Sequence, residues 1–172
     1  YHACLSCLRR PYALQTWWGG ASAHFTIFGA GDRERLHGHN YAVSAQFVAP
    51  VGDNGMCFSY RIIKDRMAAV CEALDEYTLL PAQSPYMTIE EDGDYVVCRF
   101  GDERMLFLKS DVKVLLIRNA TVEEFSYYVL QQLVNDPQLN GENEVESITL
   151  RVSSGPGQSG SCFWSKGEQL ES

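Results

Sequence analysis

Three of the chain's four histidines fall within positions 24–39. His37 and His39 stand in "LHGHNY", separated by one glycine, and His24 precedes them in "SAHFTI". In an extended segment side chains alternate faces, so His37 and His39 project to the same side. They can hold one ion together, and His24 can join them if its strand is a neighbour. Three neutral imidazoles with an open fourth position describe a catalytic zinc site. Such a metal polarises a carbonyl or hydroxyl oxygen. On spacing alone, two exposed strand histidines account for the pair more simply. Glu34, three positions before His37, reads either as a charge in the solvated loop "GDRER" or as a general base beside the metal.

The elements that must position these residues follow from periodicity. "YALQT" (Tyr12–Thr16) has the mixed alternation of a strand. In "NYAVSAQFVAP" Tyr41, Val43, Ala45 and Phe47 share one face, and Pro50 closes the strand. "VGDNG" is a turn. A helix is expected from about Tyr60 to Ala73, with Ile63, Met67, Val70, Cys71 and Leu74 forming one buried stripe and Ser59 as its cap. "LLPAQSP" breaks it. Three short strands, "YMTIE", "YVVCRF" and "RMLFL", are separated by the hairpin turns "EDGD" and "GDE". "VKVLLI" leads to Asn119. A second helix starts near Thr121, buries Phe125, Tyr128, Val129 and Leu133, and ends at Pro137 and Gly141. "ESITLRVS" alternates as a strand, "SGPGQSG" reads as a loop, and "SCFW" as a closing strand. The order implies an α+β protein, an antiparallel sheet with helices on one face.

The 172 residues are most simply one domain, 45% hydrophobic and 21% charged. A net charge of −8 repels phosphate backbones and argues against nucleic acid as a partner. An anionic small substrate would need a local positive centre such as a metal. No run approaches the ~18 apolar residues of a membrane span. "YHACLSCLRR" lacks the basic and apolar regions of a signal peptide. Several of the six cysteines sit in apolar segments as buried free thiols, which suits a reducing, cytoplasmic setting. Cys4 and Cys7 form a lone CxxC pair.

"AHF", "ExxHGHNY", "LD" and "TxE", in that order, resemble the 6-pyruvoyl-tetrahydropterin synthase and 6-carboxy-tetrahydropterin synthase family. The resemblance spans about Tyr12 to Trp164. It implies the tunnelling fold, or T-fold: a four-stranded antiparallel sheet carrying two helices. It also implies homo-oligomers, a trimer or a hexamer of two trimers, with active sites at subunit interfaces. The stretch from about Ala82 to Lys113 is longer than in typical members and looks like an inserted β hairpin region. By the same resemblance His24, His37 and His39 are the zinc ligands and a pterin is the substrate. The family's usual catalytic cysteine is replaced here by Arg33. A type III subgroup carries glutamate in the pattern "ExxHGH", where it takes over the acid/base role and 6-hydroxymethyl-dihydropterin can be the product. Glu34 matches it.

Other positions depart from the family. Its "LDH" reads "LDE", so Asp75 remains but Glu76 stands in place of a catalytic histidine. A second carboxylate near Glu34 would push one of the two pKa values up. Ser59-Tyr60 replaces "DF". Thr121 and Glu123 match "TxE", with Glu123 serving the pterin pocket or the helix N-terminus. Where a glutamate normally grips the pterin ring, "LRVSSGPGQ" offers Val152, Ser153 or Ser154. Trading that carboxylate for Ser153 costs ~1.5–3 kcal/mol, about ten- to a hundredfold in binding. Three readings follow. One is a zinc-dependent synthase acting on 7,8-dihydroneopterin triphosphate or a relative. Another is a divergent paralogue with the metal site but a changed substrate or no synthase activity. The third is a non-enzymatic module with structural zinc, which normally needs a fourth protein ligand.

Overall fold

A computed structural model of the chain describes residues 9–16, 20–57, 59–140 and 145–168, with backbone alone for 9–16 and 140. Before the first helix come β1 (Arg9–Thr16), β2 (Ala21–His24), β3 (Ile27–Gly29), β4 (Asp32–Arg33), β5 (His37–Asn40) and β6 (Ala42–Pro50). Helix α1 (Tyr60–Glu72) follows. Then come β7 (Thr78–Pro81), β8 (Met87–Asp92), β9 (Tyr95–Phe100), β10 (Glu103–Leu108) and β11 (Val112–Leu115). Helix α2 (Val122–Val134) and the short α3 (Pro137–Asn140) precede β12 (Ser147–Gly155) and β13 (Gln158–Ser165).

The main sheet is antiparallel, in the order β1-β6-β12-β13. Strict alternation makes it two-faced. Val43, Ala45, Phe47, Ile148, Leu150 and Val152 are buried, while Gln46, Thr149 and Arg151 between them are exposed. The helices cover the apolar face. α1 contributes Ile63, Met67 and Cys71, and α2 contributes Phe125, Val129, Leu130 and Leu133, all to one core cluster. The expected α+β tunnelling architecture is what the chain adopts. Thr121 caps α2 by accepting the Glu124 N–H at 3.4 Å. Ser59 sits at the N-cap of α1 but makes no side-chain capping bond. Gly141 lies outside the described residues.

A second sheet, in the order β11-β7-β2-β5, mixes parallel and antiparallel pairs. Its β7 takes in the first three residues of "LLPAQSP", which corrects the reading of that stretch as a simple helix break. Leu79 and Leu80 are buried there, and a parallel partner tolerates Pro81 at the strand's end. The segment read as an inserted hairpin is a three-stranded antiparallel meander, β10-β9-β8. Both its turns are two residues long, with Gly93 at φ 58° and Gly101 at φ 54°. The meander has its own core, where Met87, Val96, Cys98 and Phe100 pack on Phe25 and Ile27. "SGPGQSG" also differs from its reading as a loop. β12 runs to Gly155 and β13 resumes at Gln158, leaving Pro156 and Gly157 (φ 78°) as the turn.

Candidate metal and acid/base site

Cross-strand register builds the histidine cluster. β2 pairs with β5 so that His24 lies opposite His37 and Ser22 opposite His39. Cross-strand neighbours stand about 5 Å apart, and His37 and His39 share a face by alternation. The three imidazoles therefore converge, with possible ligand atoms all within 4.8 Å of one another.

Backbone carbonyls set the tautomers. His24 Nδ1 lies 2.7 Å from Ala120 O, and His37 Nδ1 lies 2.7 Å from Arg35 O. A carbonyl only accepts, so both Nδ1 atoms carry the proton and both Nε2 atoms present lone pairs. His24 Nε2 is buried without a hydrogen-bond partner. His37 Nε2 lies 3.0 Å from His39 Nε2. Burial lowers the pKa of His24, His37 and His39 add to this, and together they outweigh the Ala120 carbonyl. A neutral buried imidazole with an orphaned lone pair, aimed at two others, makes a donor set that could hold a metal ion. Tyr41 and Phe125 pack edge-on against His24, both with centroids 6.0 Å away, and brace it from the core side.

Glu34 enters the same space from the loop after β4. Its N–H donates to Thr26 O at 2.8 Å, and its Oε2 accepts the Thr26 N–H at 2.9 Å. Burial works to raise its pKa, but the Thr26 hydrogen bonds and the nearby His37 and His24 outweigh it. Glu34 is held below the ordinary carboxylate range. Within one chain Glu76 adds no upward push to Glu34. It is exposed, in the left-handed region at φ 62°, in the turn that closes α1. Asp75 Oδ1 accepts the Ala21 N–H at 3.0 Å and pins the start of β2. Within one chain neither residue lines the histidine cleft.

That cleft has a volume of about 490 Å³. His24, Thr26, Glu34, His37 and His39 form one wall, and Thr121, Val122 and Glu123 of the α2 N-terminus another. The β12–β13 hairpin supplies Ser154, Gln158 and Ser159. Ser153 is not among them. Its Oγ lies 2.9 Å from both Gly155 O and Gln158 O, inside the hairpin. Alternation along β12 puts Ser154, not Ser153, on the face of the buried Val152, and the ladder turns irregular between Ser153 and Gly155.

Gly160 was hidden in the supposed loop, yet it decides how close α2 comes. A Cβ there would lie 2.5 Å from Glu123 N, 2.6 Å from Glu123 Cα and 2.7 Å from Val122 C. These are backbone atoms, so Gly160→Ala must displace the turn that carries Glu123. The expected cost is about 2–3 kcal/mol, read as a fall of roughly 4–10 °C in Tm. An unchanged Tm would show that α2 has room to spare.

Among the described residues no cysteine lines the cleft. Cys57, Cys71, Cys98 and Cys162 are free thiols, and Cys4 and Cys7 lie outside the described residues. Burial, with a contribution from Glu72, pushes Cys71 up to about 12, and burial alone pushes Cys98 up to about 11, which leaves both thiols unionised.

The family model for 6-pyruvoyl tetrahydropterin synthase matches residues 21–162. The chain belongs to that family. Among its relatives within this pterin synthase family is a protein of Methanocaldococcus jannaschii, provisionally named 6-carboxy-5,6,7,8-tetrahydropterin synthase. It is 24% identical over 144 residues, covering 83% of this chain and 87% of that protein. The 6-pyruvoyl tetrahydropterin synthase of Plasmodium falciparum superposes with a TM-score of 0.83 at 28% identity, over 91% of this chain and 98% of that one. The Plasmodium vivax enzyme does so with a TM-score of 0.84 at 28% identity, over 92% and 99%. A further P. vivax structure is of a mutant in which a catalytic glutamate is replaced by alanine.

Proposed function

We propose that this chain is a zinc-dependent pterin lyase acting on 7,8-dihydroneopterin triphosphate or a close relative. The observation that carries the proposal is the convergence of three imidazole nitrogens beside Glu34 in one cleft. His24, His37 and His39 would hold the metal, which supplies polarisation of the substrate's side-chain hydroxyls. Glu34 is ionised near neutral pH and accepts the proton first, then returns it as triphosphate or an aldehyde fragment leaves. A P. vivax relative in which a glutamate is a catalytic residue supports that role. Thr121 and Glu123 face the pterin. Asp75 acts from behind by fixing β2.

The main sheet ends at β1 and β13, each paired on one side among the described residues. Such edges are templates for another copy of the chain. We place the contacts of a homo-oligomer, a trimer or hexamer, along them. In that assembly the turn carrying Glu76 is available to a neighbouring copy's cleft. Among the described residues no helix is long and apolar enough to cross a membrane.

A changed substrate is the second reading. It is favoured by the hairpin wall, where Ser154, Gln158 and Ser159 are polar but uncharged. One experiment tests both. The purified protein should hold about one zinc per chain and lose it in the His37→Ala, His39→Ala double variant. Incubation with 7,8-dihydroneopterin triphosphate should then release triphosphate or a shortened pterin, and chelation should abolish release. Metal without turnover or pterin binding would favour the second reading. An intact protein without metal affinity would end the first.

A further inference from the structure

Arg33 occupies the position of the family's usual cysteine, and the structure gives it four partners. Its Nη1 donates to Glu34 O at 2.9 Å. Its Nε donates to Glu103 Oε2 at 2.7 Å, and Nη2 lies 2.5 Å from the same oxygen. The guanidinium carbon stands 5.4 Å from the Phe25 ring centroid and 5.9 Å from that of Phe100. Arg33 is largely enclosed, with 19% of its side chain exposed, whereas 55% of Glu103 is exposed. Glu103 and Phe100 both belong to the β8–β10 meander.

Glu34 is thus held at three points. Thr26 takes its N–H and one carboxylate oxygen, and Arg33 takes its carbonyl. The carbonyl tether is the one that leads away from the cleft, into the meander. We propose that Arg33 is a positioning residue for Glu34, and that the β8–β10 meander sets the carboxylate's aim through Glu103 and Phe100. This rests on the acid/base role given to Glu34 above. A planar, always-charged fork suits the task, since it can hold a carboxylate and a carbonyl at once while its faces rest on aromatic rings. A half-exposed ion pair adds little to global stability, so its effect should be local.

Glu103→Gln is the test, because Glu103 is exposed on a hairpin and its loss leaves the fold intact. Amide hydrogen exchange at Thr26 and Glu34 is expected to rise about tenfold, while Ala23, bonded to Tyr77 O, stays as it was. kcat is expected to fall about tenfold with KM held within about twofold, since misaiming a catalytic group by a fraction of an ångström costs rate and not binding. That fall should vanish in a Glu34→Gln background. Arg33→Lys, which keeps the charge but not the fork, should match Glu103→Gln in both readouts. Unchanged exchange at Thr26 and Glu34 in both variants would overturn the proposal. Full activity in Glu34→Gln alone would instead remove the base, and the exchange data would still decide whether Arg33 positions that segment.

Discussion

Replacing Glu34 by glutamine is expected to lower turnover by roughly 10²–10⁴-fold while zinc content stays at about one per chain. The amide is nearly isosteric and can still accept the Thr26 N–H, so the loop should keep its place. What it loses is the capacity to take a proton. Because hydrogen bonds and the neighbouring imidazoles hold Glu34 below the ordinary carboxylate range, the proposed mechanism has the wild-type residue start each cycle as the base. The basic form exists above its folded pKa and is lost as pH falls through it. Activity should therefore show an acidic limb below the usual carboxylate value, and the glutamine variant should lack that limb. Product release measured against pH, with elemental analysis of each variant, checks both points. Undiminished activity in the glutamine variant would remove Glu34 from the chemistry.

His24→Ala and His39→Ala should both weaken zinc binding by at least about 100-fold, since loss of an outer-shell partner alone costs 10–100-fold. They should part company in the metal-free state. His24 is 7% exposed, donates to Ala120 O and packs between Tyr41 and Phe125. Its removal leaves a buried carbonyl unpaired and a void beside two rings, a loss of about 2–4 kcal/mol. His39 is half-buried, and its hydrogen-bond contact is with His37. Its removal should change the stability of the metal-free protein by less than about 0.5 kcal/mol. Urea unfolding of chelated samples, beside zinc titration of the same proteins, measures the difference. Equal destabilisation would mean that His24 is not the buried anchor of the trio.

Much of this site was legible because its signals are local. Alternation put His37 and His39 on one face, and the helical stripe in Tyr60–Glu72 needed nothing beyond its own residues. The turns "EDGD" and "GDE" carry their glycines where the hairpins demand positive φ. What stayed hidden depends on pairing between distant segments. The register that sets His24 opposite His37 is a property of two strands together. Ser154 shares the face of the buried Val152 and reaches the cleft, whereas the resemblance pointed to Ser153. The resemblance put Glu76 where the family has a catalytic histidine, but within its own chain Glu76 stands in the left-handed turn after α1, outside the histidine cleft. Gly160 and the Arg33–Glu103 pair answer to neighbours 37 and 70 residues away, and nothing nearby in the chain announces them.

The hydrogen bond from His24 to Ala120 has a consequence for timing during synthesis. The three imidazoles lie within one short segment, yet the proton that fixes the first of them is held by a carbonyl 96 residues further on. Asn119 secures that carbonyl's segment, since its side chain exchanges two hydrogen bonds with the backbone of Ile27. A ribosome that has delivered only the histidine-rich stretch has delivered ligands without their orientation. The nascent chain must extend past Ala120 before His24 can be locked in one tautomer, so the proposed metal centre would gain its full affinity only after that segment has been made.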